Sequence, residues 1–181
     1  IRYQILKENR SIAENSNAAL EMATGDFVCL LDHDDLLEPD ALYEVADKIV
    51  QDDRVDVIYT DEDKINSKGT KHLTPNMKPD FNLDLLRSNN YICHLFVVRR
   101  ILVEKVGGFR KEFDGAHDYD FIFRCTEEAD RIAHVHKVLY HWRTHEKSTS
   151  DNPDSKLYAF HAGKRAVEAH LQRMGVHASV E

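Results

Sequence analysis

A run of apolar residues that ends in a cluster of acids constrains this chain more than any other feature. Residues 27–31 are apolar or cysteine throughout, and Asp32, His33, Asp34 and Asp35 follow them directly. A run without polar alternation is typical of a strand buried on both faces of an α/β sheet. Because ligands of open α/β sheets bind beyond the carboxyl ends of the strands, the pattern predicts a carboxylate-rich site at a sheet edge.

The spacing of the acids points to a metal ion. On extended backbone the side chains of Asp32 and Asp34 point to the same side, roughly 6.6 Å apart along the strand. Carboxylates this close repel each other unless a cation joins them, and their oxygens suit Mg²⁺ or Mn²⁺ and hence phosphate chemistry. The alternative is a solvated turn in which Asp35 caps the helix that Pro39 introduces.

The order of apolar segments predicts the fold class. Strand, helix, strand, helix and strand are expected at residues 3–6, 12–22, 27–31, 39–50 and 55–60. This alternation is typical of an α/β protein, and we expect a mixed, mostly parallel sheet flanked by helices. The last of these strands also ends in acids, at residues 61–63. A clear amphipathic helix is predicted over residues 156–174. We treat residues 1–181 as one domain.

Composition excludes several classes of protein. The formal net charge of -8 disfavours a nucleic-acid-binding face, since phosphate backbones select basic surfaces. The three cysteines are far apart and lack the spacing of a zinc site, so we expect buried thiols in a reducing compartment. No apolar run reaches the roughly 18 residues of a membrane span, and no signal peptide is visible. The chain opens at Ile1, inside an apparent strand, so we expect a fragment of a longer protein.

A second acidic group lies near the middle of the chain. Asp118 and Asp120 stand where a helix is predicted to begin, and Gly115 just before them suggests a sharp bend or a close approach to a ligand. A plain helix cap explains such acids in many proteins. A carboxylate there can also act as a general base if its hydrogen-bond geometry allows.

A third group follows the apolar residues 132–142, which predict one or two strands. The chain has eleven histidines, so any single one is weak support for a site. The dense grouping of Trp142, Arg143 and His145 is stronger. His145 could complete a metal shell with carboxylates, and Arg143 could pair with a phosphate or an acid.

These three groups, in this order, resemble family 2 glycosyltransferases of the GT-A fold, in the form found in bacterial surface-polysaccharide enzymes. The resemblance covers nearly the whole chain. Its matching pieces are the strand and acidic tip at 27–35, the acids at 61–63, the Val-Gly-Gly-Phe turn at 106–109, the His-Asp-Tyr-Asp segment at 117–120, and residues 139–145 followed by Ser148.

The resemblance implies an inverting transfer of a sugar from a nucleotide-diphosphate donor to a hydroxyl group. By that resemblance, Asp32 lies near the nucleotide ribose and the metal, and Asp34 binds the Mn²⁺ or Mg²⁺ that bridges the diphosphate. Asp118 is the base that deprotonates the acceptor, and His145 is a further metal ligand. Asn17 and His33 are assigned to binding of the nucleotide sugar.

The resemblance also implies partners and a location. The acceptor would be a growing polysaccharide, a lipid-linked glycan or a protein glycan. The enzyme would be cytoplasmic, at the inner face of the membrane if other parts of the parent protein attach it there. The family's first strand and loop, which hold the nucleotide base, are absent from the front of this chain. Ser16 stands where an Arg often occurs, and His117 replaces the usual Glu.

Two other functions stay open. A phosphatase of the haloacid dehalogenase type also places two Asp after an apolar strand, but it prefers Thr or Val where Leu36 stands, and no matching late acidic motif with its Lys occurs. The chain can also be a non-catalytic domain that keeps the GT-A fold and binds a sugar or a protein partner.

Overall fold

A computed structural model describes residues 2–144 and 157–181 of the chain. This part contains six strands and six α-helices, with a short 3₁₀ helix at Lys111–Phe113. In chain order they are α1 (Ile12–Leu20), β1 (Phe27–Leu30), β2 (Leu36–Leu37), α2 (Ala41–Gln51), β3 (Val57–Ile65), β4 (His72–Asn76), α3 (Leu83–Ser88), β5 (Phe96–Arg99), α4 (Arg100–Val106), α5 (His117–Glu128), β6 (Ile132–Arg143) and α6 (Leu157–Arg173).

The described strands form one mixed sheet in the order β1-β5-β3-β6-β2, and β4 pairs with β3 as a hairpin. β3 and β6 run parallel, from Val57 opposite Ile132 to Ile65 opposite Arg143. Each of the other pairings is antiparallel. The carboxyl ends of β1, β3 and β6 therefore lie at the same side of the molecule.

Helices cover both faces of this sheet. Alternate residues of β3 and β5 point to opposite faces, as the pleat requires, so that Tyr59 joins one hydrophobic cluster and Ile58 the other. The larger cluster receives side chains from α3, α4, α5 and α6, and the smaller one from α2. This arrangement explains why the strands lack polar alternation.

The α/β class and the mixed sheet flanked by helices are confirmed. The helix predicted over 156–174 is observed as Leu157–Arg173. The sheet contains fewer parallel pairs than expected, because β5 lies antiparallel between β1 and β3. A continuous apolar run indicates burial on two faces and carries no information on the direction of the neighbouring strand.

The acids at 61–63 differ from the prediction in one respect. They do not follow a strand but lie within β3, and all three are buried. None of the helices in the part of the chain that the structure describes combines the length and the apolar character that crossing a bilayer demands.

Candidate functional site

The acidic tip after β1 is a tight turn. β1 ends at Leu30, and the backbone N–H of Asp35 donates to the carbonyl oxygen of Asp32 across 3.2 Å. The extended backbone predicted for Asp32 to Asp34 is therefore wrong, because the chain reverses here toward β2. The turn brings Asp32 together with Asp35: one carboxylate oxygen of each lies within 4.8 Å of the other.

Two residues near the end of β6 hold this turn. The hydroxyl of Tyr140 donates to Asp35 Oδ2 at 2.5 Å and accepts the backbone N–H of Asp32 at 3.2 Å. The backbone N–H of Arg143 donates to Asp35 Oδ1 at 2.8 Å, and its Nε donates to the carbonyl oxygen of Asp34 at 2.5 Å. Burial raises the pKa of Asp35, and these hydrogen bonds oppose that shift. Asp35 is thus a buried support for the turn.

A histidine completes the acidic turn. Leu30 of β1 pairs with Phe96 of β5, and continuing this antiparallel register by two residues places His94 opposite Asp32. His94 Nε2 lies 4.0 Å from Asp32 Oδ2, and its ring stacks on Tyr140 with 4.6 Å between the ring centres. Asp32, Asp35 and His94 each offer one ligand atom within 4.8 Å of the others.

This donor set fits a divalent cation. Two carboxylates and an imidazole suit Mn²⁺, and carboxylates alone suit Mg²⁺. Nε2 of His94 is the nitrogen that lies near Asp32, whereas its Nδ1 is buried and has no hydrogen-bond partner among the described residues. The two oxygens of Asp35 already accept hydrogen bonds, so Asp32 and His94 are the more available members.

A cavity of about 610 Å³ opens beside this set. Its polar end is lined by Asp32, His94, His117 and Asp118, whereas α1 and β1 supply an apolar wall. Asp118 lies in the first turn of α5, half-buried, and its Oδ2 accepts a 2.9 Å hydrogen bond from Asn90 Nδ2. The first and second acidic groups of the sequence therefore meet at one cavity.

Gly115 is explained by its backbone and by its neighbour. Its φ of 98° lies in the left-handed region that favours glycine, and a Cβ there would lie 2.5 Å from Cε2 of Tyr158. The sharp bend expected at Gly115 is observed, whereas a close approach to a ligand stays a prediction. The group that lies close to Gly115 is a side chain of α6, and the bend directs α5 so that Asp118 faces the cavity.

Buried charged side chains of β3 contact Lys78, whose ammonium group contacts the backbone next to the acidic turn. The carboxylate of Glu62 lies 3.2 Å from the ammonium group of Lys78, and this ammonium group also donates to the carbonyls of Ile92 and His94. Asp61 Oδ1 accepts the backbone N–H of Lys78 at 2.8 Å. Burial lowers the pKa of Lys78, and Glu62 acts against that shift. The acids of β3 thus support the segment that carries His94.

Two cysteines line the cavity, but neither is poised as a nucleophile. Burial raises the pKa of Cys29 to about 11 and that of Cys93 well above its ordinary value. Both side chains are therefore neutral thiols near pH 7. They contribute to the wall as small apolar groups, together with the apolar side chains of β1.

Some predicted site residues lie elsewhere. His33 is almost fully exposed at the tip of the turn, and its Nδ1 lies 3.8 Å from Asp34 Oδ1. Neither His33 nor Asp34 lines the cavity, although Asp34 is next to it in the turn. His145, predicted as a metal ligand, lies outside the described residues. The roles assigned to these three residues stay predictions.

Asn17 has a structural contact. Its Nδ2 donates to the carbonyl of Phe109 at 2.8 Å, and its Oδ1 accepts the backbone N–H of Phe109 at 2.7 Å. A Cβ on Gly108 would lie 2.2 Å from Asn17 Oδ1, so only glycine leaves room for this pair. The amide of Asn17 is thus engaged in fixing α1 to the turn after α4, which does not favour its predicted role in donor binding.

Sequence reasoning missed His94, Asn90 and Tyr140 as parts of the site. His94 was one of eleven histidines, and no local pattern distinguishes it. Its position follows only from the strand register between β1 and β5, so the pairing of two strands 66 residues apart was the missing information. Trp142, from the third predicted group, does line the cavity and contacts the His94 ring edge-on at 5.7 Å.

Comparisons with known proteins give the family. A sequence model of the family described as Glycosyl transferase family 2 matches residues 1–107. The chain is 37% identical over 180 residues to the O-antigen biosynthesis protein RfbC of Myxococcus xanthus, covering 99% of this chain and 14% of that protein. It is 30% identical over 146 residues to the chondroitin synthase of Pasteurella multocida, covering 80% of this chain and 15% of that protein.

A further relative is an uncharacterised protein of Sinorhizobium fredii, y4gI, 46% identical over 175 residues that cover 96% of this chain and 19% of that protein. The chain therefore spans less than a fifth of the length of these curated relatives. Among solved structures, S. aureus TarS 1–349 in complex with UDP-GlcNAc superimposes with a TM-score of 0.70 at 20% identity, covering 97% of this chain and 50% of that one. The predicted GT-A fold is confirmed.

Proposed function

Because the chain belongs to glycosyl transferase family 2, we propose that it forms part of an enzyme that transfers a sugar from a nucleotide-diphosphate donor to a hydroxyl group. The observation that carries this proposal is the joint lining of one cavity by Asp32 and Asp118, which come from separate elements. One carboxylate is needed near the donor diphosphate, and another near the acceptor.

Asp118 is proposed as the general base. It accepts the proton of the acceptor hydroxyl as the acceptor oxygen attacks the anomeric carbon, and the bond from that carbon to the diphosphate oxygen breaks with its electron pair. Attack opposite the leaving group inverts the anomeric configuration. The hydrogen bond from Asn90 holds the Asp118 carboxylate in position and leaves lone pairs free to accept that proton.

A divalent cation is proposed at the acidic turn, held by Asp32 with His94 and Asp35 or, as the resemblance implies, by Asp34. When bound, it would neutralise the charge that develops on the leaving diphosphate. The buried ammonium group of Lys78 fixes the backbone that carries His94, and Tyr140 fixes the turn that carries Asp32. These residues orient the donor set before any ligand enters.

The acceptor is proposed to be a glycan chain. The relatives named for O-antigen biosynthesis and for chondroitin synthesis support a polysaccharide acceptor. The solved TarS structures with UDP and UDP-GlcNAc support a nucleotide-sugar donor, and UDP-GlcNAc is the first donor to test. A cytoplasmic location stays a prediction of the family resemblance, with the inner face of the membrane as the place if other parts of the parent protein attach it there.

The test uses the full-length parent protein, screened with nucleotide sugars and Mn²⁺. Asp118→Asn should leave donor affinity within about twofold of the wild type, while the rate of single-turnover transfer falls by about 10²–10⁴. Asp53→Asn, an exposed acid outside the cavity, is the matched control and should change neither quantity. Loss of donor binding with surviving single-turnover transfer would contradict the base role.

Variants of the same full-length protein distinguish the two candidate metal ligands of the turn, Asp34 and Asp35. Asp34→Ala and Asp35→Ala, each measured for Mn²⁺ affinity and turnover, show which acid of the turn accompanies Asp32. If Asp34→Ala retained normal metal-dependent turnover, the assignment of the metal to Asp34 would be wrong.

A further inference from the structure

A second group of ligand atoms lies outside the cavity, where β6 meets the segment before α3. Asp80, His134 and His136 each place one ligand atom within 4.8 Å of the others. His136 Nε2 lies 3.1 Å from Asp80 Oδ1, and His134 Nδ1 lies 3.8 Å from the same oxygen. None of the three lines the cavity of the proposed transferase site.

The orientation of His134 is fixed by its neighbours. Its Nε2 lies 2.8 Å from Asp61 Oδ1, and its ring stacks on Tyr59 with 4.6 Å between centres and 9° between planes. Because a carboxylate can only accept, Nε2 carries the hydrogen and donates it to Asp61. In the neutral ring, Nδ1 therefore carries the lone pair and points toward Asp80.

This lone pair has no partner among the described residues. His134 is only 5% exposed, and its Nδ1 is buried without a hydrogen bond. Buried polar atoms of native proteins are almost always satisfied, so an unpartnered nitrogen that lies 3.8 Å from a carboxylate oxygen of Asp80 calls for an explanation. In most protein metal sites, one ring nitrogen of a histidine binds the metal while the N–H of the other donates to a carboxylate, which fixes the ring.

The other two ligands can adjust to an ion. The side chains of Asp80 and His136 are 82% and 65% exposed. His134 and His136 are two apart on a strand, which places them on one face, and their rings lie 4.1 Å apart. The pairing of β6 with β3 shifts register just after Thr60 opposite Val135, and such irregularities often re-aim side chains. Tetrahedral zinc sites place ligand atoms roughly 3.3 Å apart, so only small rotations are needed.

We propose that Asp80, His134 and His136 form a binding site for a divalent transition metal of the zinc class. Two imidazoles and one carboxylate suit Zn²⁺, Co²⁺ and Ni²⁺ better than Mg²⁺. The open outer side leaves a coordination position for water. The bound ion would fasten the segment at Asp80 to β6, next to Pro79, whose carbonyl accepts a 2.7 Å hydrogen bond from Tyr59.

The experiment titrates the metal-free chain with Zn²⁺ by calorimetry and with Co²⁺ by visible absorption, in excess Mg²⁺ to occupy the acidic turn. Wild-type protein should bind one ion with the intense Co²⁺ bands of a low-coordinate site. His136→Gln and Asp80→Asn should each weaken binding by at least about tenfold. Both side chains are exposed, so these variants should keep the fold, which circular dichroism checks.

Two controls make the result specific. His177→Gln removes an exposed histidine far along the chain, and His72→Gln removes one from a separate group in which Asp63 contacts His72 and His141. Neither should change the affinity. The proposal is overturned if no ion binds, if affinity survives both His136→Gln and Asp80→Asn, or if His72→Gln abolishes binding.

Discussion

Arg124 Nε donates to Asp120 Oδ2 across 2.9 Å; both residues belong to α5, and both are buried. The other nitrogens of Arg124 donate to three consecutive backbone carbonyls, those of Val106, Gly107 and Gly108. Asp120 thus anchors the glycine turn after α4, while Asp118, two residues earlier, faces the cavity. The two acids of one helical turn serve separate purposes.

Asp120→Asn should reduce the free energy of unfolding by about 3–5 kcal/mol, because it leaves buried Arg124 without its charge partner. Arg110, which also pairs with Asp120, loses a partner as well. Urea denaturation followed by circular dichroism measures the change. Asp118→Asn is the matched control and should cost less than about 1 kcal/mol. Equal losses in the two variants would contradict this division.

Tyr140→Phe should loosen the acidic turn. Without the hydroxyl, buried Asp35 Oδ2 and the backbone N–H of Asp32 both lose a partner, which should cost about 1–3 kcal/mol of stability. In the full-length protein we expect weaker Mn²⁺ binding as well, since the turn carries the proposed ligands. Thermal denaturation and metal titration measure the two effects.

The control for Tyr140→Phe is Tyr43→Phe, which removes a hydroxyl from an exposed tyrosine on α2. It should change neither stability nor metal affinity. A Tyr140→Phe protein with wild-type stability would show that the hydroxyl does not hold the turn.

Stability should fall in mild acid because of His170. This fully buried histidine accepts a hydrogen bond from Arg87 Nε through Nε2, so its Nδ1 carries the hydrogen and donates to Glu127. Burial lowers the pKa of His170 below its ordinary value. Between the lowered pKa and the unfolded value of about 6.5, only the unfolded chain takes up the proton, so the free energy of unfolding decreases as pH falls.

The pH dependence is measured by denaturation between about pH 7.5 and pH 5.5. The slope should be shallower in His170→Gln, by at most about 1.4 kcal/mol per pH unit, the contribution of one proton. His177→Gln should keep the wild-type slope. His134, whose pKa burial also lowers, accounts for part of the remaining slope. An unchanged slope in His170→Gln would rule out this origin.

Much of the fold follows from local patterns. Amphipathic periodicity predicts α6, and apolar runs predict the strands β1 and β6, because each of these signals lies within one segment. The turn glycines predict the end of α4. The placement of Asp32 just after a strand and of Asp118 at the beginning of a helix also follows from local order.

The remaining parts of the site depend on contacts between distant segments. The function of Asp35 is set by Tyr140, 105 residues away in sequence, and not by the helix that follows it. The role of Asn17 is likewise set by Phe109, 92 residues away. A single sequence reveals the chemical type of these residues but not their partners. The spacing of Asp32 and Asp34 therefore suggests extended backbone, although the chain turns there.

The dependence of the acidic turn on Tyr140 and Arg143 has a consequence for synthesis of the protein. As the polypeptide emerges from the ribosome, the segment at Asp32 precedes both partners by more than a hundred residues. Until β6 has been translated and has paired with β3, neither of these two residues can hold the turn. Incomplete chains therefore lack the contacts that hold Asp32 and Asp35 in place, and the geometry of the turn forms only after translation of β6.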